Sequence, residues 1–257
     1  MRTILLDGVR PGETTLSPRE SHHLLNVLRA APGDVVRVTD GSGVEAEAVV
    51  VAGSAGVAVL RVGHPVRRAP PPTRIVLLGL PRPALVEETL ILGTELGATA
   101  FWLTRCEHAH PGDTRVDRLD RVLDGALKQC RRTDRPLLLS YASLDDALAA
   151  LPPAPRFVGE PGGPPAPRDT PLPAAVLAIG PEGGWHLDEL ERLVGAGFHP
   201  LGLGPNILRA PTAVAAGLTA LMPTDADSDR MIAVANAAAG KAGPTSVSRH
   251  VRRSQRS

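Results

Sequence analysis

Two glycine-bearing stretches hold the residue types best suited to chemistry. In Ile179-Gly180-Pro181-Glu182-Gly183-Gly184, three glycines and a proline within five positions let backbone amides and carbonyls come close to a flat ligand. Glu182 is the only charge in that loop and can accept from an amine, a ribose hydroxyl or an arginine. The second stretch, Leu203-Gly204-Pro205-Asn206-Ile207-Leu208-Arg209-Ala210-Pro211-Thr212, opens a helix, with Arg209 at its mouth able to hold a carboxylate or a phosphate. Gly202-x-Gly204 invites a dinucleotide reading, but Ile207 stands where a third glycine is needed and the stretch comes late in the chain. Each loop follows an apolar strand, and ligands on α/β sheets sit at the carboxyl ends of strands. Taken alone, Gly180–Gly184 reads equally as a tight strand-to-helix turn.

Arg131, Arg132 and Arg135 form a basic cluster after a helix, with Arg29, Arg37, Arg67 and Arg68 able to extend it. Such a cluster fits phosphate contact; a solvated helix end favoured by the helix dipole is the alternative. Cys106-Glu107-His108-Ala109-His110 lacks four ligands at fixed spacing and has no second cluster, so it predicts a loop and no metal. His22 and His23 read as structural or RNA-facing helix residues, and Trp185 as core.

The elements that must position these residues fall into two rhythms. Residues 1–68 read as a small β-rich domain: Val35–Val38, the turn Asp40–Gly43, then alternation from Val44 to Val50 and a further strand Val57–Val62. A helix is predicted at Arg19–Arg29, stopped by Pro32-Gly33, and His64–Pro72 reads as a stiff linker. Residues 74–222 alternate short apolar runs (Ile75–Leu78, Ala100–Leu103, Leu137–Leu139, Arg156–Val158, Ala175–Ile179, Phe198–Leu203) with helices. The helices are Pro83–Leu96, an amphipathic Thr114–Arg132, Leu187–Val194 and Thr212–Leu221. This is an α/β pattern with a mainly parallel sheet. Gly159–Pro173 reads as an exposed loop, and residues 223–257 as a disordered basic tail.

Composition bounds the function. At 257 residues the chain suits one large domain or two smaller ones. Aromatics are 2%, so aliphatic side chains must fill the core. The net charge of +1 lacks the bulk signature of a nucleic-acid binder, so any RNA site must be a local cluster. The basic residues are almost all arginine, so anion contacts would use a guanidinium fork. Two cysteines, no signal peptide and no run of membrane-spanning length predict a cytoplasmic protein.

The motifs together resemble the RsmE family. The resemblance rests on Gly180–Gly184, Leu203–Arg209 with Thr212-Ala213, Glu95-Leu96-Gly97-Ala98, Gln129-Cys130-x-Arg132-x-x-Arg135-Pro136, and the series His22/His23, Val27-Leu28-Arg29, Pro32-Gly33-Asp34, Asp40-Gly41. Their order and spacing agree over about residues 20–222. The resemblance implies a 16S ribosomal RNA uridine-N3 methyltransferase of the SPOUT class: an α/β SPOUT-type domain with a trefoil knot, a PUA-like N-terminal β-barrel, a homodimer, and S-adenosyl-L-methionine (SAM) held in the knot. It would place the donor against Ile179, Gly180, Pro181, Glu182, Gly183, Gly184, Leu203, Gly204, Ile207, Leu208 and Thr212, and RNA against Arg29, Arg131, Arg132 and Arg135. Arg209 or Arg132 is the candidate to stabilise the anion developing on uracil; Arg209 binding the donor carboxylate is the alternative. Departures occur at Lys128, His108, Leu85, Leu92 and Pro211, mostly at positions expected to face RNA. A SPOUT enzyme with another RNA target, or a non-catalytic RNA-binding relative, stays open at this point.

Overall fold

The computed structural model describes residues 2–54, 56–111, 115–166 and 172–222. Its first part comprises β1 (Thr3–Leu5), β2 (Gly12–Thr15), α1 (Pro18–His22), a π-helical turn (His23–Val27), β3 (Val35–Thr39), β4 (Val44–Ser54), β5 (Val57–Val62) and β6 (Val66–Arg67). The strands pair in the order β1-β3-β4-β5-β2, with β6 against the start of β4. Alternation explains the packing: Val36, Val38, Ala46, Ala48, Val50, Ala58 and Leu60 turn inward onto Ile4 and Leu24. The expected helix over Arg19–Arg29 is shorter and changes character, from α1 into the π turn, and ends at Arg29 with φ 52°. β1, β2 and β6 were not expected: they are short or polar, and their partners lie far away in the chain.

The second part comprises β7 (Thr73–Gly79), α2 (Pro83–Glu95), β8 (Ala100–Thr104), α3 (Val116–Cys130), β9 (Leu137–Tyr141), α4 (Leu144–Ala150), β10 (Arg156–Glu160), β11 (Ala174–Ile179), α5 (Leu187–Gly195), β12 (Phe198–Gly202) and α6 (Ala210–Ala220). The sheet order is β12-β10-β11-β7-β8-β9, and every ladder in it is parallel. Parallel sheets need cover on both faces. Val76, Leu78, Phe101 and Leu103 face the core that includes residues of α2, α3 and α6. Ile75, Leu77, Ala100 and Trp102 face the other core, which includes residues of α4 and α5. Each of the larger aliphatic side chains contributes about 1.5–3 kcal/mol on burial. The unanticipated α4 had a legible start: Ser143 caps it by accepting from the Asp146 amide, a Ser-x-x-Asp pattern. The helix expected from Thr114 begins at Val116, after an extended Arg115; residue 114 and the expected tail at 223–257 lie outside the described residues.

The two sheets are stitched together through the segment after α3. The Gly43 amide donates to Thr133 O at 2.8 Å and the Arg135 amide to Gly41 O at 2.7 Å. Ser42 and Asp134 form an antiparallel bridge between them. A nearly buried ion pair, Lys128 to Glu20 at 2.9 Å, ties α3 to α1. Glu45, itself buried in β4, accepts from both Arg37 and Arg68.

Close approach of α2 to the sheet depends on Gly93, where an added Cβ would lie 2.6 Å from Cε1 and 2.7 Å from Cζ of the fully buried Phe101. A rigid ring cannot yield cheaply. Gly93→Ala should therefore destabilise by about 1–3 kcal/mol despite alanine's better helix propensity; urea or thermal denaturation measures this, and an unchanged midpoint would refute the packing argument.

Candidate functional site

Three neighbouring strands, β12, β10 and β11, deliver their carboxyl ends to one place. The loop after β11 folds back as a turn, with the Gly184 amide donating to Pro181 O at 2.9 Å and Gly184 at φ 72°. It can fold that tightly because Gly180 has no side chain: a Cβ there would sit 3.0 Å from both the Gly184 carbonyl carbon and the Trp185 amide nitrogen. At Gly159 a Cβ would meet Ile179 Cδ1 at 2.6 Å and Leu203 Cδ1 at 2.9 Å. The space enclosed by these loops is a cavity of about 300 Å³, at the small end of the usual range for small-molecule sites.

The cavity has an apolar wall of Ile179, Leu203, Leu208, Ala210 and Ala213, and a backbone wall from Gly180 to Gly184. Among its described lining residues the only ionisable side chains are Glu160 and Glu182, both acidic. Such a lining favours a ligand with an apolar plane, hydroxyls and a positive charge. It offers a pyrophosphate no cation. Burial pushes the Glu182 carboxyl up, but the hydrogen bond from Arg82 at 2.6 Å and the charge of that guanidinium outweigh it and hold the group below its ordinary value.

The loop's outer side is braced. His108 Nδ1 lies 3.2 Å from Gly184 O, and because a carbonyl only accepts, Nδ1 carries the proton. Glu189 receives the Glu107 and His186 amides on separate oxygens, each at 2.8 Å, closing a capping box that fixes the start of α5. Burial, with the Glu189 charge adding to it, pushes the Cys106 thiol up to about 12, so it stays protonated and is a poor nucleophile. Among the described residues no group of three or more His, Cys, Asp or Glu side chains could hold a metal ion.

Of the residues expected around a donor, Ile179 to Gly184, Leu203, Gly204, Ile207 and Leu208 line this cavity. Thr212 does not. The first turn of α6 points Ala210 and Ala213, three apart, inward and leaves Thr212 exposed. Arg209 precedes α6, is exposed, and its side chain has no partner among the described residues. Arg132 is not brought to the cavity. It donates to Thr94 O at 2.7 Å and Ala98 O at 2.8 Å and pairs with Asp134, so it holds α2 to the segment after α3. Arg135 is likewise engaged, with Asp120 at 2.7 Å and Asp124 at 2.9 Å. Arg29 and Arg131 are exposed.

Sequence reasoning missed Gly159 and Glu160, which were absorbed into an expected loop. The signal was present: Gly159-Glu160-Pro161-Gly162-Gly163 nearly permutes Gly180-Pro181-Glu182-Gly183-Gly184. Arg82, Ala210 and Ala213 carried no separate signal, since a guanidinium partner and an inward alanine are visible only once α2 and α6 are docked.

The RNA methyltransferase domain family matches residues 69–222, and the RNA methyltransferase PUA domain family matches residues 16–61. A Synechocystis protein named Ribosomal RNA small subunit methyltransferase E is 32% identical over 231 residues, covering 81% of this chain and 73% of its own length. The chain belongs to the ribosomal RNA small subunit methyltransferase E family. The Mycobacterium bovis family member is 33% identical over 226 residues, covering 79% of this chain and 83% of its own. A Neisseria gonorrhoeae member, crystallised bound to S-adenosyl methionine, superposes with a TM-score of 0.79 at 26% identity, covering 86% of this chain and 96% of its own. Membership accounts for the α/β SPOUT-type fold behind an N-terminal PUA domain. Among the described residues no helix is long and apolar enough to cross a membrane.

In this family member the Arg82–Glu182 link tests the electrostatics of the loop. A carboxyl lowered by folding stabilises above its unfolded pKa, and that contribution is lost as pH falls through the folded value. A carboxyl-detected NMR titration should place Glu182 below an ordinary glutamate, and Arg82→Ala should move it up; no movement would mean that Arg82 is not the cause.

Proposed function

We propose that this protein transfers the methyl group of SAM to N3 of a uridine in the 16S RNA of the small ribosomal subunit. The observation that carries the donor assignment is the cavity at the ends of β10, β11 and β12, apolar on one wall and, among its described lining residues, holding carboxylates and no cation. Bound there, the donor supplies a methyl already made electrophilic by its sulfonium. Ile179, Leu203 and Leu208 would hold the flat base; Ile207 would close the mouth; Gly180, Pro181, Gly183, Gly184 and Gly204 would present backbone; Glu182 and Glu160 would take hydroxyls or the positive charge. Family membership, and the SAM in the Neisseria relative, support the same reading.

Arg209 is the residue we assign to the acceptor, where its guanidinium, without a partner among the described residues, would stabilise the oxyanion that develops as the uracil N3 proton passes to water. Arg132 is no longer a candidate, because its donors hold the fold together. The reading extends to a homodimer acting in the cytoplasm, as the resemblance implies; light scattering should give twice the chain mass of 26.9 kDa.

The deciding assay incubates the protein with methyl-labelled SAM and small-subunit RNA from cells lacking the gene, then digests the RNA for mass spectrometry. Labelled N3-methyluridine is expected. Label on another base would overturn the uridine assignment, and none at all the activity. Gly180→Ala should weaken SAM binding at least tenfold by calorimetry. Arg209→Ala should lower kcat by about 10²–10³ with SAM affinity unchanged; a loss confined to SAM affinity would move Arg209 from the acceptor to the donor carboxylate.

A further inference from the structure

Glu160, the last residue of β10, brings to the cavity at the strand ends a charge that the fold leaves unmatched. It and Glu182 are the ionisable side chains among the described lining residues, and they are placed differently. Glu182 is half of an ion pair with Arg82 at 2.6 Å, so a neighbouring guanidinium offsets its charge. The half-buried Glu160 side chain has no partner among the described residues. Arg209, exposed ahead of α6, is not among the lining residues.

The backbone that carries Glu160 is tightly held. Its carbonyl accepts from the Gly163 amide at 3.2 Å, and Pro164 O accepts from the Gly202 amide at 2.7 Å. A Cβ on Gly202 would fall 2.1 Å from Gly163 O, and one on Gly163 would fall 2.9 Å from Gly202 N. The loop after β10 therefore lies backbone against backbone on the end of β12, where Glu160 stands in register with Gly202. A charge fixed in place before a ligand arrives acts on it at no cost in reorganisation. The enclosure is also small. As a sphere, a volume of about 300 Å³ is about 8 Å across, no more than a Debye length at physiological ionic strength. A cation bound anywhere inside feels Glu160 whether or not the two touch.

We propose that Glu160 tells the methyl donor from its demethylated product by charge, holding the sulfonium of SAM and having no such hold on the product. The inference rests on the SAM reading of this cavity and adds how the site is emptied after each turnover. In the transfer the carbon–sulfur bond breaks and its electron pair stays on sulfur, so the sulfonium becomes a neutral thioether. The methyl carbon bonds to uracil N3, and the N3 proton passes to water. Glu160 is then left facing an uncharged ligand. Donor and product share the base, the ribose and the amino-acid end, so contacts to those parts cannot separate them. The charge on sulfur can. The product is bound more weakly, fresh donor displaces it, and the enzyme is little inhibited by what it makes.

Calorimetry with three ligands separates charge from shape: SAM, its demethylated product, and sinefungin, in which an ammonium-bearing carbon replaces the sulfonium. The full chain should bind SAM and sinefungin about tenfold more tightly than the product, the effect of an opposite charge that moves a neighbouring equilibrium by about one pKa unit. Glu160→Gln keeps the shape and an accepting oxygen but removes the charge. It should weaken SAM and sinefungin about tenfold and leave the product unchanged, so that the preference disappears. Glu160→Asp should keep most of the preference, and with the wild-type ratio it carries the test if the glutamine variant does not fold. A wild-type protein that binds the product as tightly as SAM overturns the proposal. So does a Glu160→Gln variant that leaves the preference intact, or that weakens all three ligands alike, the mark of a hydrogen bond to a part they share; in each case the SAM site itself stands. A wild-type protein that binds none of the three overturns the SAM reading and this inference with it.

Discussion

Backbone must pass backbone without side chains between them at the ends of β10, β11 and β12, and the rest of the site follows from that. Gly180 lets the loop after β11 turn on itself, and Gly159 leaves room for Ile179 and Leu203 to meet. Side chains from α6 then close the space from above, which requires α6 itself to lie close to the sheet. Gly217 allows this, since a Cβ there would fall 2.5 Å from Leu177 Cδ2. The cavity is therefore a by-product of close packing, and its polarity comes from peptide groups that the sheet has no further use for.

Charge is distributed with similar economy. A composition rich in arginine looks like a nucleic-acid surface, yet much of it is consumed inside the protein. Arg74 is buried, its guanidinium donating to Thr73 O, Leu172 O and Leu221 O, with its pKa lowered by burial. Arg37 and Arg68 converge on Glu45, and Arg132 clasps two carbonyls. Planar forks suit such work, because one guanidinium satisfies several oxygens at fixed angles. Net charge is thus a poor guide to how many arginines stay available to a ligand.

The sequence made much of the fold legible where physics is local. β7, β8 and β11 stand out because strands buried on both faces must be continuously apolar, and α3 because one helix face meets the sheet while the other meets water. What stayed hidden was non-local: β1 and β6 exist only through partners in β3 and β4, and the inward turn of Ala213 exists only through the docking of α6. Two of the three loops of the cavity could be read, and the third was mistaken for a surface loop although its glycines echo the second. The placement of Arg132 near the chemistry failed for an instructive reason. Gln129–Arg132 lies against the end of α2 and Glu95–Ala98, with Arg132 reaching Thr94 O and Ala98 O. Motifs in register can report a brace as readily as an active site.

The stitching between the two sheets has a consequence of scale. Hydrogen bonds from Gly43 to Thr133 and from Arg135 to Gly41, with the Lys128–Glu20 pair beside them, leave the hinge after β6 little freedom to open. The first part is thereby held at a fixed offset from the cavity near Gly180, as the span of a caliper is set by its frame. Any RNA contact made by the first part would then stand at a set distance from the methyl-donor cavity.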